Sequence, residues 1–319
     1  MQQKYLYRLI MAFCILPSGV FAGQYNFSLE GLALQPSQQT SSTWATIITS
    51  GTVTGVRTID ISATNIKFNY APGVRAGLEY IFNDNWSSNF SYSYLNTATS
   101  QDVRMSSQVI VPEFFSGFLS GNFFFGADIN WRILFNTIDL DVGKTISVED
   151  IVQIRPAIGI KAANIHQKIT STWDTGVYIA NEHVKNNFYG LGPSIDLDID
   201  WQLYANKHNS FLLLGDFTTA LLWGTWRVND TYSRPNAPSV LVTATEITTN
   251  FNNMQLGVPM FGFIFGLQWN YERGYRINFK IGYEMQWWIN QLRIPTFQQL
   301  PTRGDLTLQG AICGISLQL

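Results

Sequence analysis

The chain has 319 residues and a mass of 36.1 kDa, and only 13% of it is charged, against roughly 25% in an ordinary soluble domain. Aromatic residues reach 14%, with 10 Trp, 14 Tyr and 22 Phe, which excludes intrinsic disorder. With 20 Lys+Arg against 22 Asp+Glu there is no basic excess, which argues against a nucleic-acid partner.

Residues 1–22 read as a cleaved signal peptide. Lys4 and Arg8 form a positive start, Leu9 to Ala22 is mostly apolar, and Val20-Phe21-Ala22 suits a signal peptidase. The competing reading is an N-terminal buried helix. Residues 23–319 then form the mature domain, of 297 residues (319 − 22), with a formal charge of −4 once two cations are lost. Only Cys313 remains in it, so no intramolecular disulfide is possible. Beyond residue 22 the cleanest charge-free run, Leu256 to Tyr271, is 16 residues long and broken by Gly, Pro, Gln and Asn. That is too short for a helical membrane span.

The rest alternates with period two. Val74, Ala76, Leu78, Tyr80 and Phe82 alternate with Arg75, Gly77 and Glu79; Trp86, Phe90, Tyr92 and Tyr94 alternate with Ser and Asn. Ile195 to Leu203 is apolar at every odd position and polar at every even one, and Tyr275 to Trp287 does the same for thirteen residues. A helix would scatter such residues around its circumference, whereas a strand puts them on two faces. Ten strands are predicted, at 24–35, 66–82, 86–98, 121–144, 151–168, 188–204, 210–228, 256–271, 275–292 and 305–319, with eight to twelve as the range. In the fourth, Trp131, Ile133 and Phe135 share one parity and Ile138, Leu140 and Val142 the other, so a bulge near Asn136-Thr137 is expected.

Short breaks (83–85, 147–150, 205–209, 272–274) alternate with long polar ones (36–65, 99–120, 169–187, 229–255, 293–304). This is the asymmetry of an outer-membrane barrel, with short periplasmic turns and long external loops. The fold class is therefore all-β: a transmembrane antiparallel up-and-down β-barrel in a Gram-negative outer membrane. Phe82, Trp86, Trp201, Trp269, Tyr271 and Tyr275 lie close to short turns on the apolar parity and form one aromatic girdle. Trp131, Trp223 and Trp287 lie further along their strands and are candidates for the second.

If the apolar parity faces lipid, the other faces the lumen. That assigns Arg75, Glu79, Asp128, Arg132, Arg155, Lys161, Asp196, Asp198, Asp200, Arg276, Lys280 and Glu284 to the interior. Two readings stand side by side: the charges pair and plug a narrow barrel, or they line a water path and set ion preference. Asp196, Asp198 and Asp200 share one face, as a cation-attracting stripe or as partners of neighbouring arginines; Asp139 and Asp141 repeat the pattern. His166, His183 and His208 lack an Asp-x-His partner, and no Gly-x-Ser-x-Gly, Cys-x-x-Cys or His-Glu-x-x-His occurs. No catalytic residue, cofactor or metal is expected. The Ser/Thr-rich loops fit a surface-binding or a shielding role equally.

The second half resembles the Legionella-type major outer membrane protein family of pore-forming barrels. The likeness rests on Asp139-Leu140-Asp141-Val142-Gly143-Lys144, Arg155-Pro156-Ala157-Ile158-Gly159, Ala162-Ala163-Asn164-Ile165-His166-Gln167, Gly190-Leu191-Gly192-Pro193, Ala220-Leu221-Leu222-Trp223-Gly224, Gly282 to Gln291, and Asp305 to Gly310, in that order. The resemblance implies an outer-membrane barrel with a porin-like role for small polar solutes or ions. The alternative is a non-conducting surface barrel, acting as adhesin or structural protein. Implied partners are outer-membrane lipid, the barrel-assembly machinery through the C-terminal strand, small polar solutes and a second copy of the chain. One departure stands out: such barrels usually end on an aromatic residue, and here Leu319 stands in that place.

Overall fold

The computed structural model describes residues 23–38, 43–53, 56–83, 85–104, 109–112, 124–149, 151–237, 246–294 and 302–319. The signal segment assigned to residues 1–22 lies outside them.

Fourteen strands follow in chain order: β1 (Gln24–Gln38), β2 (Thr43–Val53), β3 (Val56–Asn65), β4 (Ala71–Asn83), β5 (Trp86–Arg104), β6 (Val109–Pro112), β7 (Gly126–Lys144), β8 (Ile146–Val148), β9 (Val152–Asp174), β10 (Ile179–Ala205), β11 (Asn209–Ser233), β12 (Glu246–Glu272), β13 (Arg276–Ile294) and β14 (Thr302–Gln318). Ten of them close a ring in the order β1-β4-β5-β7-β9-β10-β11-β12-β13-β14 and back to β1, every pairing antiparallel. Closure leaves no open sheet edge at membrane depth, so the backbone there is satisfied by ladder pairing, interrupted on the β10–β11 side at Gly192-Pro193. The seam is sealed at its rim by Tyr25 and Leu319, whose backbones exchange both hydrogen bonds, at 3.2 and 2.9 Å.

The four short breaks of the sequence all lie at this same rim. Asn85 (φ 75°), Glu149 (φ 53°) and Gly274 (φ 82°) take left-handed backbone conformations there. Between β10 and β11, Asn206 Oδ1 accepts the backbone N–H of His208 at 3.0 Å and of Asn209 at 2.8 Å, an Asx turn. Short turns mark the periplasmic side.

At the other end the expected long loops are mostly wall. The stretch 169–187 is not a loop: β9 runs to Asp174, β10 starts at Ile179, and Thr175 closes the connection with a backbone bond from its N–H to the Tyr178 carbonyl at 3.1 Å. β11 and β12 reach into 229–255, and β13 and β14 into 293–304. These polar residues stay in strands because every second side chain points inward, most of them apolar, with Ser171, Glu182, Asn186 and Asp230 buried between them. Trp173, Ala180, Val184, Val228 and Tyr232 are all buried. The breaks 36–65 and 99–120 contain a separate three-stranded sheet, β3-β2-β6.

The bulge expected near Asn136-Thr137 is not there. β7 keeps one unbroken register with both neighbours from Gly126 to Gly143. A single alternation places Trp131, Ile133, Phe135, Thr137, Asp139 and Asp141 inside and Ile138 and Val142 outside. The apparent change of parity is a change of environment along one regular strand. Real irregularities fall elsewhere, notably between Trp288 and Leu292 of β13, where Asn290 has φ 57°.

The outward residues locate the membrane. On β10 they run apolar from Tyr189 to Trp201, and on β11 from Phe211 to Trp223, apart from Gly215 and Thr219. Twelve residues make about 40 Å of strand, or about 30 Å of height at a tilt near 40°. Phe82, Trp86, Trp201, Trp269 and Tyr275 are exposed and Tyr271 half-buried, all near the short-turn rim. Trp223 and Tyr189 sit at the opposite boundary. Trp131 does not: it faces the lumen and is fully buried.

Candidate functional site

The lumen is split into two halves of opposite character. The half behind the short turns holds a cavity of about 540 Å³. Ten of the twelve predicted interior charges line it: Arg75, Glu79, Arg155, Lys161, Asp196, Asp198, Asp200, Arg276, Lys280 and Glu284. Glu30, Asp139, Asp141 and Asp216 join them, giving nine carboxylates against five cations, a formal excess of four negative charges. Glu30 and Asp216 were legible only from parity. Asp216 is hidden because its inward neighbours Leu212 and Leu214 are apolar and blur the alternation of β11.

Asp128 and Arg132 are a correction. They occupy even positions on β7, whose odd positions face inward, so both point out of the barrel. Arg132 is exposed, and its Nε donates to Asn96 Oδ1 at 3.0 Å.

The chamber is knitted by cations shared between carboxylates. Arg75 bridges Glu30 (2.9 Å) and Glu284 (2.5 Å). Arg155 bridges Asp141 (2.5 Å) and Asp198 (3.0 Å). Lys280 lies 3.4 Å from both Glu30 and Asp216, and Lys161 pairs with Asp139. Such sharing removes each carboxylate's need for its own counter-ion and holds neighbouring strands in register. Glu79, Asp196 and Asp200 have no cationic partner among the described ion pairs. Asp196 instead accepts from Thr218 Oγ1 at 2.6 Å and Glu79 from Asn26 Nδ2 at 3.1 Å. The aspartate stripe is thus one member paired to arginine and two left to polar neighbours or water. Among the described residues no cluster has the make-up of a metal site.

The outer half of the lumen is filled mainly with apolar side chains, with Ser171, Glu182, Asp230 and Arg234 buried toward its mouth. Trp131, Trp173, Trp226 and Trp288 are fully buried there, with Phe135, Phe188, Leu222 and Met260 among them. Phe188 packs against Trp226 with ring centroids 4.5 Å apart and planes tilted by 44°, and lies over Gly190 and Gly224, where any Cβ would strike its ring. The decisive contact is Phe135 to Trp288, edge to face at 5.4 Å. Around the ring β7 and β13 are five strands apart in either direction, so these two rings meet across the full diameter. A short polar seam crosses the same region. The β13 bulge turns the Gln291 carbonyl inward, where it accepts from Gln167 Nε2 at 3.4 Å and Asn186 Nδ2 at 3.2 Å, and Gln38 Nε2 donates to Gln167 Oε1 at 3.3 Å. Above, Trp44 and Phe124 pack on Trp173 at 5.7 and 5.6 Å, so the small sheet and its neighbours cover the mouth.

A family model described as the Legionella pneumophila major outer membrane protein precursor matches residues 20–319. The chain belongs to that family. No curated protein matches it in sequence. Among solved structures, the outer membrane protease OmpT of Escherichia coli is similar at 11% identity, covering 92% of this chain and 96% of its own, with a TM-score of 0.44. OprG of Pseudomonas aeruginosa is similar at 11% identity (92% and 95% covered, TM-score 0.31), and the translocator domain of NalP from Neisseria meningitidis at 9% (98% and 94%, TM-score 0.29).

The histidines of this family member lie apart from the chamber. His166 faces outward, its Nδ1 2.7 Å from Asn187 Oδ1; His183 is exposed beside Thr170 at 3.3 Å; His208 sits in a periplasmic turn with Nδ1 3.1 Å from the Glu272 carbonyl. None of these three contacts is to a carboxylate that would orient the ring for base catalysis.

Proposed function

We propose that the chain is a porin-like barrel for small cations and small polar solutes whose resting lumen is shut by the apolar layer. The observation that carries this reading is the Phe135–Trp288 contact spanning the diameter directly above an acidic chamber. The chamber supplies what a selective path needs: water-sized space, fixed negative excess and carboxylates not consumed by cations. The layer supplies what a gate needs, because apolar constrictions exclude ions by refusing them hydration. Membership of a major outer-membrane protein family supports the same reading. No residue is assigned covalent chemistry.

Planar-bilayer recording tests it. The wild-type barrel is expected to be silent at rest and to open in rare events, whereas Phe135→Ala combined with Trp288→Ala conducts continuously and prefers cations. A wild-type barrel with large steady conductance would mean that the layer is no gate. The packed layer also favours a second reading, a non-conducting surface barrel. Under that reading both proteins stay at the empty-bilayer level while folded.

A further inference from the structure

Just above the lipid band the outer wall turns cationic on adjacent strands. Arg132 of β7 is paired directly with Lys168 of β9, and Lys168 directly with Lys185 of β10. All three are exposed and point away from the lumen. Arg227 of β11, also exposed, is paired with Asn187, two residues from Lys185 on the membrane side. Like charges directly opposite one another in a ladder repel. None of the four has a carboxylate partner among the described ion pairs, and the nearest outward carboxylates on β7 and β9, Asp128 and Asp174, lie four and six residues further out. A row of unneutralised cations on regular strands calls for an external anion.

Its height says which. Tyr189 tops the lipid face of β10, and its Oη lies 3.4 Å from His166 Nε2, one pleat above. Lys168 is the next outward residue after His166, so the row lies two to four residues beyond Tyr189, about 5–10 Å above the end of the hydrocarbon and at headgroup height. Below the row, past Asn187 on β10 and Asn164 on β9, Leu191 opens the apolar face six residues from Lys185, and it continues through Ile160 to the paired Ile158 and Ile195, Ile158 being 72% exposed. The wall here is convex, so a free ion would keep its hydration shell. An anion tethered to acyl chains lying on the isoleucines is delivered at high effective concentration.

We propose that Arg132, Lys168, Lys185 and Arg227 bind the phosphorylated headgroup of an outer-leaflet glycolipid. The phosphates sit between the cations, Asn187 and Asn96 supply neutral hydrogen bonds, and the acyl chains run down the apolar stretch.

The full barrel, refolded in zwitterionic detergent, is titrated with bis-phosphorylated lipid A, with dephosphorylated lipid A and with inorganic phosphate, and binding is read by native mass spectrometry. The phosphorylated lipid binds at least about tenfold more tightly than the dephosphorylated one. Arg132→Gln/Lys168→Gln/Lys185→Gln/Arg227→Gln abolishes that preference, while Lys207→Gln/Arg273→Gln at the opposite rim keeps it. Equal binding of the two lipids overturns the proposal, as does a quadruple variant that retains the preference. Blocking of the lipid by micromolar inorganic phosphate overturns it in favour of a free-anion site. Should the quadruple variant fail to fold, as judged by heat-dependent gel mobility, protection of Lys168 and Lys185 from amine labelling by lipid A in the wild-type protein decides; no protection overturns the proposal.

Discussion

The two halves of the lumen are built by the same strands and differ only in what lies outside them. On β10, Asp196, Asp198 and Asp200 point inward while Ile195, Leu197 and Ile199 meet lipid. Farther along the same strand the order inverts. Ala180, Val184 and Phe188 point inward, with the buried Glu182 and Asn186 between them, and His183, Lys185 and Asn187 meet water. A strand has two faces, and each takes the chemistry its surroundings allow. Where lipid takes the apolar face, polar side chains are left for the lumen; where water takes the outside, the inside packs like a soluble core. The chamber and its closure follow from one membrane boundary crossing one regular sheet.

The sharpest way to break this contrast is to hollow the packed half. Trp226→Ala removes a fully buried indole packed against Phe188 and is expected to cost about 3–5 kcal/mol, seen as a lower urea midpoint of the refolded barrel. An unchanged midpoint would mean the outer half is not a packed core. In the charged half, Arg75→Met leaves Glu30 and Glu284 facing one another without their shared cation. All three side chains are at most 16% exposed, so the expected cost is about 3 kcal/mol, partly recovered by adding Glu284→Gln. The smallest effect on stability comes from Asp196→Asn/Asp198→Asn/Asp200→Asn. It lowers the chamber's formal negative excess from four to one. In a barrel opened by Phe135→Ala/Trp288→Ala, the reversal potential under a salt gradient should then move toward zero while the midpoint barely shifts. A retained cation preference would place selection elsewhere.

Much of this was legible in the sequence. The ten wall strands, their short-turn rim, the girdle there and most chamber charges follow from alternation alone, because lipid imposes its apolar demand at every second residue. The outer half was misread for the same reason. Taking the apolar parity as lipid-facing everywhere turns His183, Lys185 and Asn187 into loop and demands a bulge near Asn136-Thr137 to bring Trp131, Ile133 and Phe135 onto the lipid face. Asp128 and Arg132 went wrong with them: they belong to the outward face of a stretch that has already left the membrane. What no local pattern carries is contact across the lumen, since Phe135 and Trp288 are 153 residues apart in sequence (288 − 135) and on opposite walls.

Trp173 holds the cover from two sides. Trp44 reaches it from the connection between β1 and β4, and Phe124 from the connection between β5 and β7. The two pieces are also bonded to each other by the pairing of β2 with β6, and the second is closed on itself by the backbone of Ile110 with that of Phe124 at 2.8 and 3.3 Å. The cover is therefore a clasp with two independent leashes. Severing one by a surface protease leaves the other to hold the clasp shut, so shaving of intact cells trims the barrel's profile without exposing its interior.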